Sequence, residues 1–115
     1  MANQRIVVGA HYGLRDWLAQ RVTAVLMALY TLAFLALLLW RKPVGHVGWQ
    51  EIFAPQWMKL ATLTFIACLL YHAWVGVRDI WMDYVKPTSL RLVLQVGTIV
   101  WLAACGVWAL RIFLR

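Results

Sequence analysis

Three long apolar runs divide this chain, each bounded by charged or aromatic positions. The first spans residues 22–40 and carries no charge from Val22 to Trp40. The second spans residues 60–82 and stays uncharged through Val77. The third spans residues 91–111, and its interior, Leu92 to Leu110, is interrupted only by Gln95 and Thr98. A helix needs about 20 apolar residues to cross a hydrocarbon core of about 30 Å. Backbone groups in that core must be satisfied within the segment, which favours helices. The pattern predicts an all-α integral membrane protein, one domain over residues 1–115, with three transmembrane helices.

The segments between the runs are punctuated. Residues 41–59 contain Pro43, Gly45, Gly48 and Pro55, which predict a loop. Trp49, Ile52 and Phe53 are expected to form one apolar turn resting on the surface. Pro87 disfavours helical geometry at Lys86 and should end the second helix, with Thr88 or Ser89 as an N-cap for the third. The first 20 residues are polar and mixed, and a helix lying at the interface is expected from about Gly13. The run after them is too long for a signal-peptide core and shows no clear cleavage site, so this segment is expected to stay attached.

Composition agrees with the pattern. The chain is 64% hydrophobic and only 13% charged, with mean hydropathy +0.74, far from a soluble domain's balance. Its eight Trp residues suit helix ends at headgroup level. The net charge of +7 comes from Lys and Arg flanking the apolar runs, which membrane topology explains better than nucleic acid does. Counted by side, those cations divide six against five, which hardly fixes an orientation. Cys68 and Cys105 lie inside apolar runs without a C-x-x-C-H motif, so any haem would be held non-covalently.

Candidate chemistry gathers between Tyr71 and Pro87. His72 is the one histidine inside an apolar run; His11 and His46 fall outside the spans. An ionisable group at membrane depth is costly and points to function, and neutral imidazole is a common metal ligand. His72 is a candidate for binding a buried metal or cofactor; an interhelical hydrogen bond is the plainer alternative. Gly76, one turn on and on the same face, leaves room for a flat group. Asp83 and Tyr84 lie at the helix end, Tyr84 roughly 18 Å from His72 along the axis. With Lys86 they are either an interfacial anchor or the edge of a binding site. Arg21, at the mouth of the first run, either snorkels or pairs with an anionic group.

His72-Ala73-Trp74-x-Gly76, then Asp83-Tyr84-Val85-Lys86-Pro87 and Arg91-Leu92, resembles the small hydrophobic membrane anchor of succinate dehydrogenase, respiratory complex II. Upstream, Asp16-Trp17 and Gln20-Arg21-x-Thr23-Ala24 resemble that family's approach to its first helix. The resemblance implies that His72 is an axial ligand of a b-type haem, with Arg21 toward a haem propionate. It implies that Asp83 and Tyr84 border a ubiquinone site. It implies a heteromeric helical bundle in a bacterial or mitochondrial inner membrane, with the N-terminus on the cytoplasmic or matrix side. Its implied partners are a second haem-ligating anchor (the cytochrome b subunit), an iron–sulfur subunit and a flavoprotein subunit. With one histidine inside the spans, a bis-histidine haem would need its second ligand from another chain. The sequence has no Cys cluster or phosphate-binding loop, so the chain alone is not expected to oxidise succinate. The rivals are a haem-free, quinone-binding anchor of the fumarate reductase kind and a small proton-coupled transport or assembly protein.

The Arg78-Asp79 pair is more charged than that pattern suggests.

Overall fold

A computed structural model describes the backbone of residues 10–114 and the side chains of residues 13–114. Four helices follow in order: α1 (Ala10–Arg41), α2 (Gly45–Phe53), α3 (Gln56–Tyr84) and α4 (Thr88–Phe113). Among the described residues there is no strand. α1, α3 and α4 are each long and apolar enough to cross a membrane. The chain is thus an all-α membrane protein with three spanning helices. The polar segment ahead of Ala10, with Arg5, and the expected anchor Arg115 lie outside the described residues.

Each boundary has a local cause. Lys42 adopts a left-handed φ of 47° and its N–H closes on Leu38 O at 2.8 Å. Pro43 then forbids further helix. Gly45, at φ +69°, makes the turn into α2, a conformation in which any side chain would be strained. Pro55 and Pro87 stand at the N-cap positions of α3 and α4 with φ of −63° and −64° and extended ψ. α3 ends at Tyr84 and α4 begins at Thr88, and so tight a turn forces the two helices antiparallel.

Three expectations need correction. The segment 41–59 is not simply a loop: α2 occupies its centre, because the two prolines bracket a helix rather than interrupt it. Trp49, Ile52 and Phe53 share one face there. Ile52 is 4% exposed, and the rings of Trp49 and Phe53 sit 6.5 and 5.8 Å from that of Phe34. Phe53 also meets Phe113 edge-on at 5.7 Å, tying α2 to the end of α4. Nor does a separate interfacial helix begin near Gly13, since α1 runs unbroken from Ala10 into the first span. Neither Thr88 nor Ser89 is the N-cap of α4: Pro87 is, and no side chain caps the helix.

α3 lies in the middle. It packs against α1 on one side and α4 on the other, while α1 and α4 do not pack on each other. Gly106 of α4 faces α3 so closely that a Cβ there would meet Leu70 Cδ1 at 2.9 Å, the close approach that small residues permit in membranes. A row of three helices has almost no interior. Among the described residues only Ile52, Met58 and Val75 are buried apolar residues, and large side chains such as Leu32, Trp101 and Val107 stay exposed. Those faces are turned to lipid or to other subunits.

Polar side chains join the helices where apolar burial is slight. Tyr30 OH lies 2.7 Å from Thr62 Oγ1, and the Thr62 hydroxyl donates to Met58 O at 2.8 Å. Trp81 Nε1–H donates to Thr98 Oγ1 at 2.9 Å, while Thr98 donates to Leu94 O at 2.8 Å. Thr98→Val should therefore loosen α4 from α3 by about 1 kcal/mol, the usual scale of an interhelical bond in lipid. Thr98→Ser should stay at parental stability. Reversible unfolding in mixed micelles measures both.

Candidate functional site

The site grows out of the α1–α3 seam. On α1, Asp16, Gln20, Thr23, Met27, Tyr30 and Phe34 alternate four and three residues apart and are all partly buried. That spacing keeps one stripe of the helix facing its neighbour. α3 runs antiparallel along the stripe, so Thr62 meets Tyr30, His72 meets Thr23 and Arg78 meets Asp16. One end of the seam is therefore aromatic and apolar and the other polar.

His72 is half-buried within it. Its Nδ1 lies 3.1 Å from Thr23 Oγ1. Nε2 has no hydrogen-bond partner among the described residues. Only Gln20 Oε1 and Arg78 Nε are polar side-chain atoms both buried and unpartnered there, so Nε2 is not fully enclosed by this chain. A Cβ added at Gly76 would meet one neighbour, Gln20 Nε2, at 4.0 Å, leaving the space beside His72 largely clear.

One to two turns further on lies a cleft of about 390 Å³ lined by Asp16, Trp17, Gln20, Arg21, Val75 and Arg78, among others. The Arg21 guanidinium sits 5.2 Å over the Trp17 ring and remains exposed at the cleft. Arg78 bonds Asp16 at 2.5 Å and Asp79 at 3.3 Å. The two orphaned atoms, Gln20 Oε1 and Arg78 Nε, both belong to cleft-lining residues.

α3 carries Asp83 and Tyr84 past this cleft. Both are exposed, Tyr84 by 80%, and neither hydroxyl nor carboxylate has a partner among the described residues. This chain supplies them as an open edge rather than a closed pocket. His46 sits exposed on α2, beyond the opposite end of the seam, and the two cysteines are free. The structure thus sets His72 in the seam about one turn from a cleft that Arg21 lines, and leaves Asp83 and Tyr84 beyond that cleft. Sequence reasoning assigned no role to Asp16, Thr23 or Gln20. Their four-and-three spacing with Met27 and Tyr30 was the signal that could have found them.

The fold and seam define a small three-helix membrane protein whose polar groups gather at one end and whose faces are left for other subunits. Residues 1–108 match the model of the succinate dehydrogenase/fumarate reductase transmembrane subunit. The chain is 38% identical over 98 residues to the succinate dehydrogenase hydrophobic membrane anchor subunit of Coxiella burnetii, covering 85% of each. It is 33% identical over 105 residues to the protein of the same description in Rickettsia felis, covering 86% of each. The chain belongs to the succinate dehydrogenase/fumarate reductase transmembrane subunit family. Its place is that of a membrane anchor within an oxidoreductase complex made with other subunits.

The Asp16–Arg78 pair has a testable weight. Each side chain is about a quarter exposed (25% and 26%), so Asp16→Ala should cost about 1 kcal/mol in thermal stability of the complex, the upper range for a wetted pair. Asp16→Ala combined with Arg78→Leu should recover part of that loss, because a cation left with only the longer bond to exposed Asp79 costs more near membrane depth than an apolar pair. Thermal midpoints of the parent, single and double variants decide it.

Proposed function

We propose that this chain, beside a second haem-ligating anchor, supplies one axial ligand to a b-type haem through His72 and one wall of a ubiquinone-reduction site through Tyr84 and Asp83. The observation that carries it is a half-buried imidazole, held at Nδ1, unpartnered at Nε2 and set beside a cleft with two arginines. The residues fit the group. Imidazole is a nitrogen donor to iron. Arg21, and the orphaned Arg78 Nε–H, suit the carboxylates that a haem carries. A single row of helices with one intramembrane histidine would leave any second ligand and the far wall of the site to the partner.

When bound, the haem supplies a one-electron store between the helices. His72 holds its position through Nε2. Arg21 would offset negative charge at the cleft. Tyr84 donates its O–H to a quinone carbonyl, a bond that strengthens as charge builds on that oxygen during reduction. Asp83 holds the local hydrogen bonding and helps deliver protons. Succinate oxidation, with its flavin and iron–sulfur electron path, belongs to the soluble partners. The N-terminus and the α3–α4 turn would then lie on the cytoplasmic or matrix side of an inner membrane, facing those partners.

His72→Ala should abolish or strongly reduce the b-haem bands in the dithionite-reduced spectrum of the purified complex while all three helices stay inserted. Parental bands in that variant would remove the ligand role. Tyr84→Phe should slow succinate-to-ubiquinone turnover at least several-fold, with near-parental electron transfer to an acceptor reduced before the membrane. Asp83→Leu should act in the same direction, with an altered pH dependence. Ubiquinone reduction at the parental rate and apparent affinity in both variants would place the pocket elsewhere.

A further inference from the structure

The α1–α3 and α3–α4 seams repeat one device. A threonine gives its single hydroxyl proton to a carbonyl one turn back in its own helix, then meets a ring from the facing helix. Thr98 donates to Leu94 O, and its oxygen faces Trp81 Nε1–H. Indole nitrogen can only donate, so there the threonine must accept. Thr62 donates to Met58 O at 2.8 Å and meets Tyr30 OH at 2.7 Å. Thr23 has the same geometry, with Ala19 O at 2.7 Å, Gln20 O at 3.1 Å and His72 Nδ1 at 3.1 Å. Its proton is committed to its own helix, the nearer carbonyl being Ala19 O. The Thr23 oxygen is therefore left to accept, and a neutral imidazole can satisfy it only with the proton on Nδ1.

We infer that Thr23 is a positioning residue for the proposed haem site, fixing His72 as the Nδ1–H tautomer so that Nε2 presents its lone pair to iron. The inference rests on the haem reading given above. It adds to α1, which also carries Arg21, the task of fixing the proton of the ligand. The outer hydrogen bond on a ligating imidazole both orients the ring and raises its basicity. Its loss should weaken ligation and disfavour the ferric state, so the midpoint potential should rise.

Thr23→Val keeps the shape and removes the acceptor; Thr23→Ser keeps the acceptor and removes the methyl group. Both are made in the intact complex, assembled without haem, titrated with haemin, and then poised electrochemically. Thr23→Val should lower apparent haem affinity about 10–100-fold, the usual effect of losing such a partner, and shift the midpoint potential upward. Thr23→Ser should restore both. Parental affinity and potential in Thr23→Val would overturn the inference, and so would a serine variant as impaired as the valine one, since that marks a packing role for the methyl. His72→Ala is the control: haem retained there defeats the ligand reading itself, whereas haem lost there with a parental Thr23→Val defeats only the role of Thr23.

Discussion

A ring N–H or O–H inside a membrane must find an acceptor, because no water is there to supply one. Most of the internal order of this chain follows from that constraint. Apolar burial between the helices is slight: among the described residues three apolar side chains are buried, and most of the large ones face outward. Lipid tails are as apolar as leucine, so sequestering leucines between helices gives little drive to associate. The hydrogen bonds that join His72, Tyr30 and Trp81 to threonines therefore matter more here than they would in water. They pin α3 to both neighbours and set its rotation about its own axis. That rotation decides which way His72 faces.

The architecture was legible because its cause is crude. The uncharged run from Val22 to Trp40 can do little in a bilayer except form a helix. The turn at Pro87 was legible for the same reason, since proline acts on its immediate neighbours whatever the tertiary context. What escaped was non-local. Prolines and glycines around residues 43–55 signal breaks, but they do not reveal that Trp49 and Phe53 find Phe34 in another helix, and that contact is what makes α2 worth forming. At the site, His72 stood out because an imidazole among leucines is conspicuous. Thr23 did not, because threonine in a membrane helix usually satisfies itself on its own backbone. Only the facing helix gives it a second task. Asp16 looked like part of a polar lead-in until α3 brought Arg78 against it.

The same row of helices that makes the fold simple leaves the site open. α3 carries His72, Asp83 and Tyr84, yet its two neighbours cover only its flanks. Tyr84 projects from the helix end largely uncovered by this chain. Membership in an enzyme of several subunits is what such a surface requires, because an open edge with an unpartnered phenol binds nothing tightly by itself. Gln20 Oε1 and Arg78 Nε carry a similar message. Buried polar atoms are almost always hydrogen-bonded, and these two share one cleft. The cleft is open, so water or a group from another subunit can reach both.

The two readings of His72 in the sequence, an interhelical hydrogen bond and a ligand, then cease to be rivals. An imidazole has two nitrogens, and in the neutral ring one donates while the other accepts. The bond to Thr23 engages Nδ1 and holds the ring in the seam. That engagement leaves Nε2 free and aimed, which a ligand needs and a freely rotating side chain lacks. In the proposed haem site the structural task would be a condition of the functional one. A histidine on the outer face of α3 would reach a partner equally well, but nothing in this chain would fix its proton or its angle. Placing it in the α1–α3 seam lets one residue join two helices of its own chain while its second nitrogen stays without a partner among the described residues.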